Sequence, residues 1–102
     1  MTIARDEDCV RVADLAELSA RNAPVFRDEL RAALPPQPRR VDIDLAATHT
    51  IDSSGLGALF AVHRAARHAN HSVVFRLLNP RPEMQRIFEL TRLHQIFEIT
   101  RE

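Results

Sequence analysis

The residues of this chain best suited to chemistry lie in one run, THTIDSSGLGALF, Thr48 to Phe60. It places one acid and two hydroxyls, Asp52, Ser53 and Ser54, directly before Leu56 and the only two glycines of the chain, Gly55 and Gly57. Three readings compete. Asp and Ser at a helix start accept hydrogen bonds from orphan N–H groups and complement the macrodipole, worth about 0.5–2 kcal/mol. A serine between strand and helix is also the setting of a nucleophile elbow, G-x-S-x-G, but here the residues are I-D-S-S-G, with no glycine two before either serine. His49, four residues before Ser53, is the nearest base for such a serine. The third reading is modification: Ser53, exposed on a turn among small residues, is within reach of a kinase, and a phosphate adds about −1.5 to −2 charges. The helix dipole accepts that charge while Asp52 repels it, and a partner docked on a small neutral surface is displaced by it.

Other chemistries fit less well. S-S-G-L-G lacks the lysine of a P-loop and the spacing of a dinucleotide fingerprint. The histidines, His49, His63, His68, His71 and His94, are not spaced as a metal site, and the single Cys9 excludes an internal disulfide or a multi-cysteine metal site. We therefore expect no catalytic residue, no metal and no cofactor. Glycine costs about 1 kcal/mol against alanine inside a helix. Gly57 falls inside a helical stretch, so the pair implies close approach by another helix, a ligand or a partner protein.

The elements that position this run follow from periodicity. Cys9–Ala13 alternates as a strand, paired with a short one near Thr2–Arg5. Asn22 reads as the cap and Pro24 as the first turn of a helix carrying Phe26, Leu30, Ala33 and Leu34 on one side, stopped by Pro35-Pro36. Val41–Leu45 alternates as a strand. A helix over Ser54–Asn70 follows, with the apolar stripe Leu56, Leu59, Phe60, His63 and Ala66. Val73–Leu78 is nearly all apolar and reads as a central strand covered on both faces. A helix over Glu83–Leu90 burying Met84, Ile87 and Phe88, a turn at Leu93–Gln95 and a strand over Ile96–Thr100 complete the chain. Strands alternating with helices predict one α/β domain over residues 1–102, with a mixed or parallel sheet in the order β-β-α-β-α-β-α-β.

Composition sets the outer bounds. Arg residues and Asp+Glu balance at 14 each, giving no field that would draw the chain to nucleic acid or to an anionic membrane. Its apolar runs fall far short of the ~20 residues of a membrane span. MTIARDEDCV is acidic and lacks the apolar core of a signal peptide, so the expected compartment is the cytoplasm.

With these residues in hand, the chain resembles the STAS domain family, and within it the bacterial anti-sigma factor antagonists. The resemblance covers nearly the whole sequence. Its most specific part is VDIDLAATHTIDSSGLGALF, against the family's hydrophobic-Asp-Ser-Ser/Thr-Gly-Leu-Gly at the end of a strand; LSARNAPVFRDEL and LLNPRPEMQRIFELTRLHQIFEI also match. The resemblance implies a sheet of four or five strands with helices packed around it. It implies that Ser53 is phosphorylated by an anti-sigma factor that is an ATP-dependent serine kinase. The unphosphorylated form then binds that kinase, which lets its sigma factor go, and a metal-dependent serine phosphatase restores it. Ser19, Asn22, Asp52, Ser53, Ser54, Gly55, Leu56 and Gly57 are the expected partner surface, and Gly55→Val is expected to damage binding more than stability. Two departures stand out: the family's Gly-Glu-Leu-Asp reads Ala16-Glu17-Leu18-Ser19, and its Thr-Gly-Leu reads Thr91-Arg92-Leu93. A non-switching structural subunit of a lipid-transport or signalling-scaffold complex is the alternative function.

Overall fold

Five short strands form one mixed sheet in the computed structural model, which describes residues Met1–Glu102. Strands β1 (Thr2–Asp6) and β2 (Cys9–Ala13) make an antiparallel hairpin. Next to β2 lies β4 (Arg40–Asp44), then β6 (Val74–Leu78) and β7 (Glu98–Thr100), each parallel to its neighbour. Parallel neighbours need crossovers, and three helices supply them: α1 (Ala23–Ala33), α2 (Ser53–Ala69) and α3 (Pro82–Leu90). The expected helices and strands are present with ends shifted by a residue or two.

Two strands escaped sequence reading. β3 (Glu17–Leu18) and β5 (Thr50–Ile51) pair in parallel as a separate two-stranded sheet. Two residues are too few to display a period of two, and only the pairing between distant segments defines them.

The pleat decides which side chains meet the helices. Val10, Val12, Val41, Ile43, Phe75 and Leu77 are buried in one core with Phe26 and Leu30 of α1, Leu59, Val62 and Ala66 of α2, and Met84 and Phe88 of α3. The opposite face of the sheet carries Arg11, Asp42 and Arg76. The expectation that Val73–Leu78 is a central strand covered on both faces is therefore half corrected: β6 lies between β4 and β7, but Val74 is exposed and Arg76 only partly buried on the second face. Arg76 grips Asp42 with both prongs of its guanidinium, at 2.7 and 2.8 Å, and Arg40 adds a contact at 3.1 Å. Asp42 is buried, and a buried carboxylate is tolerable because it is paired. The hydrogen bond to Asp42 raises the pKa of Arg76 and locks its charge in place. Alternation was masked because Val74 and Leu78, flanking Arg76 on the same face, are also apolar.

The stripe along α2 is also displaced. Leu59 and Ala66 are buried as expected, but Ala58 and Val62 share the core, while Leu56, Phe60 and His63 are half-buried. The rings of Phe60 and His63 reach sideways to Phe97, with centroids 5.6 and 5.1 Å away, and His63 stands edge-on to Phe75. Burial, then the charge of Arg67, lowers the pKa of His63. The last strand begins at Glu98 because Phe97 is drawn into the core and Ile96 closes the 3-10 turn Leu93–Gln95. Arg92 adopts φ 61°, a left-handed conformation that costs a non-glycine residue about 1–2 kcal/mol.

Candidate modification and binding site

The run quoted first folds into a corner between β5 and α2. Asp52 has extended backbone, and its carboxylate accepts the N–H of Gly55 at 2.9 Å, capping α2. The same carboxylate accepts the N–H of Ala20 at 3.0 Å, and the N–H of Asp52 donates to the Leu18 carbonyl at 3.2 Å. Asp52 thus ties the start of α2 to the turn between β3 and α1. The bond from Gly55, then that from Ala20, lowers its pKa. A carboxylate whose pKa falls on folding stabilises the fold above its unfolded-state pKa, and this contribution disappears as pH drops through the folded value. Asp52→Ala is accordingly expected to lower the urea midpoint at pH 7, with the gap from wild type narrowing as acid protonates Asp52. An unchanging gap from pH 7 to pH 3 would contradict the ionised cap.

Ser53 and Ser54 occupy the first turn of α2 and are exposed. The glycines behind them differ sharply. Gly55 is buried, and a Cβ there would overlap the carbonyl oxygen of Leu18 and lie 2.6 Å from its carbonyl carbon. The close neighbour inferred from this glycine is the chain's own β3. This corrects the expectation that Gly55 chiefly serves binding. Gly57 is exposed, and a Cβ there meets nothing within 4 Å. Its missing side chain serves no contact inside the chain.

Ser19 and Asn22 face inward. Ser19 is buried, and its N–H donates to the Asn22 side-chain oxygen at 2.9 Å, while the Asn22 amide donates to the Glu17 carbonyl at 2.6 Å. Asn22 is the cap residue of α1, as expected, and its backbone carbonyl accepts the N–H of Phe26 at 2.9 Å, but its side chain makes no capping hydrogen bond. Its side chain is consumed in closing the turn after β3, and the Ser19 carbonyl takes the N–H of Ala23 instead, at 2.7 Å. Asp52, Ser53, Ser54 and Gly57 are thus presented together, with Leu56 half-buried behind them and Ser19, Asn22 and Gly55 supporting from within.

Sequence reading missed the other wall of this surface. A cleft of about 350 Å³ runs between α1 and α2, lined by Ala20, Pro24, Arg27, Ser54, Gly57 and Ala61 among others. Ala20 lies 32 residues from Asp52 in sequence. No local pattern marks it, because the β3–β5 pairing that joins the two segments is itself invisible locally.

A single α/β domain with an Asp-Ser-Ser helix entrance presented to solvent is the class that fold and corner define. The family model described as "Mlab, STAS domain" matches residues 1–100, and the chain belongs to the STAS domain family. The anti-sigma-B factor antagonist of Listeria monocytogenes is 30% identical over 95 residues, which span 93% of this chain and 82% of that protein. Among solved structures, the Thermotoga maritima protein TM1081 superposes with a TM-score of 0.85 at 22% identity, covering 97% of this chain and 84% of that one. The Bacillus cell fate determinant SpoIIAA in its phosphorylated form gives 0.65 at 18% identity, over 96% and 88% of the two chains. These two likenesses concern the fold. No helix is long and apolar enough to cross a membrane.

Proposed function

We propose that this chain is an anti-sigma factor antagonist switched by phosphorylation of Ser53. The unphosphorylated form binds an anti-sigma factor serine kinase, which then releases its sigma factor; phosphorylation ends the binding, and a serine phosphatase reverses it. The observation that carries the reading is the exposure of Ser53 on a corner that Asp52 holds from two sides. In the kinase reaction, the Ser53 Oγ takes the γ-phosphoryl group of ATP, ADP leaves with the broken bond's electrons, and the hydroxyl proton passes to a base of the kinase. With the neighbouring Asp52 ionised, the corner then carries roughly three negative charges. A neutral partner surface seated there meets uncompensated charge on desolvation, which drives dissociation. The 30% identity to an anti-sigma-B factor antagonist supports the same reading.

The test is incubation with ATP and the serine kinase encoded nearest its gene, followed by mass spectrometry of the digested protein. One phosphate on Ser53, absent from Ser53→Ala, is expected. Ser53 left unmodified, with a stable complex formed regardless of ATP, would favour the non-switching structural subunit instead.

A further inference from the structure

The α1–α2 cleft continues well past Ser53. A second cavity of about 360 Å³ follows the first along the same pair of helices, sharing Ala61 and lined further by Arg31, Arg64, Ala65 and His68. The two together trace the outer seam of α1 and α2 from Ser54 to His68. On α2 that span is 14 residues of rise, about 21 Å at 1.5 Å per residue, or four helical turns.

Three observations describe what the seam receives. Its floor is Gly57, Ala61 and Ala65, and Gly57 is glycine in mid-helix with open space above it. Helix propensity opposes glycine there and no internal contact requires it, so the space is reserved for atoms from outside the chain. The rim is basic. Arg64 lines it from α2, which carries no Asp or Glu, and Arg31 faces Arg64 from α1. Arg27 is paired with Asp28 at 3.1 Å, whereas Arg31 and Arg64 form no ion pair within the chain. Lastly, the seam is continuous with the Ser53 corner, since Ser54 and Ala20 form its first cavity.

We infer that this groove receives an acidic amphipathic helix of the kinase partner, with small residues facing Gly57 and Ala61 and carboxylates reaching Arg31 and Arg64. A helix in a groove between two helices is an established recognition mode, and a glycine–alanine floor permits close axial approach. Unpaired arginines matched by partner carboxylates provide charge complementarity without breaking any internal bond. The inference rests on the proposed function and adds the partner's chemistry to it. It also gives the corner its leverage: phosphate at Ser53 sits at the mouth of a groove whose occupant is already negative, so the same modification that disturbs the corner repels the helix.

The test measures affinity for the same kinase by isothermal titration, using unphosphorylated wild type, Gly57→Leu, the double variant Arg31→Glu/Arg64→Glu, and Arg86→Glu on the exposed face of α3 as a charge control. Gly57→Leu fills the groove while improving helix propensity, so thermal unfolding at or above the wild-type temperature certifies its fold. The expected result is roughly 10-fold or greater loss of affinity for Gly57→Leu and for the double variant, and none for Arg86→Glu. The double variant's loss shrinks as salt rises from 0.1 to 1 M, where the screening length falls from about 10 to 3 Å. Wild-type affinity in both groove variants, while phosphorylation of Ser53 still abolishes binding, overturns the groove and leaves the switch standing. An equal loss in Arg86→Glu overturns the specific arginine pairing. Self-association of wild type that both groove variants abolish assigns the groove to a second copy and overturns the inference. No binding by wild type overturns both proposals.

Discussion

Gly55→Ala is expected to unfold at a markedly lower urea concentration than wild type, a loss of about 3 kcal/mol, at the upper end of what overpacking one methyl costs. The reason is what the methyl meets. Its site overlaps the backbone carbonyl of Leu18, which cannot swing aside as a side chain would. That carbonyl also accepts the N–H of Asp52, so relief by moving β3 strains the corner's own hydrogen bond. For a domain of this size, with a total stability of about 5–15 kcal/mol, the loss is a large fraction. Gly57→Ala, two residues on, is the internal control: open space receives the methyl, and helix propensity predicts a gain of up to about 1 kcal/mol. Circular dichroism during urea unfolding compares the two directly, and midpoints shifted in the same direction would refute the assignment.

Ser53→Asp is expected to keep the wild-type fold and lose the proposed kinase partner. An acidic residue in the first turn of a helix is favoured by the macrodipole, so the thermal midpoint holds or rises slightly. A charge forced into a desolvated, uncompensated interface costs about 2–4 kcal/mol, or roughly 30- to 1000-fold in affinity. Ser53→Ala, uncharged and unmodifiable, binds whether or not ATP is present. Calorimetric titration of both variants separates the outcomes, and tight binding by folded Ser53→Asp would remove charge as the basis of the switch.

Much of this architecture was legible in the sequence. Cys9–Ala13, the prolines around α1, the alternation of Val41–Leu45 and the apolar helix faces fixed the α/β order, because each repeats a period long enough to read. The helix entrance at Asp52 was legible for the same reason that it is stable: the cap bond to Gly55 is local. What stayed hidden depended on distant segments. β3 and β5 exist only by pairing with each other, and the burial of Asp42 makes sense only beside Arg76, 34 residues away. The glycines show the limit most directly. Sequence treated Gly55 and Gly57 as one feature, yet one is pressed against the chain's own backbone and the other faces solvent.

The double grip of Asp52 has a consequence for how a message leaves this corner. Its carboxylate holds α2 on one side and the β3–α1 turn on the other. A phosphate arriving next door finds nothing to push. Under the proposed switch, the two forms are expected to share one shape and to differ in surface potential, so any enzyme that must tell them apart has to read the phosphate itself.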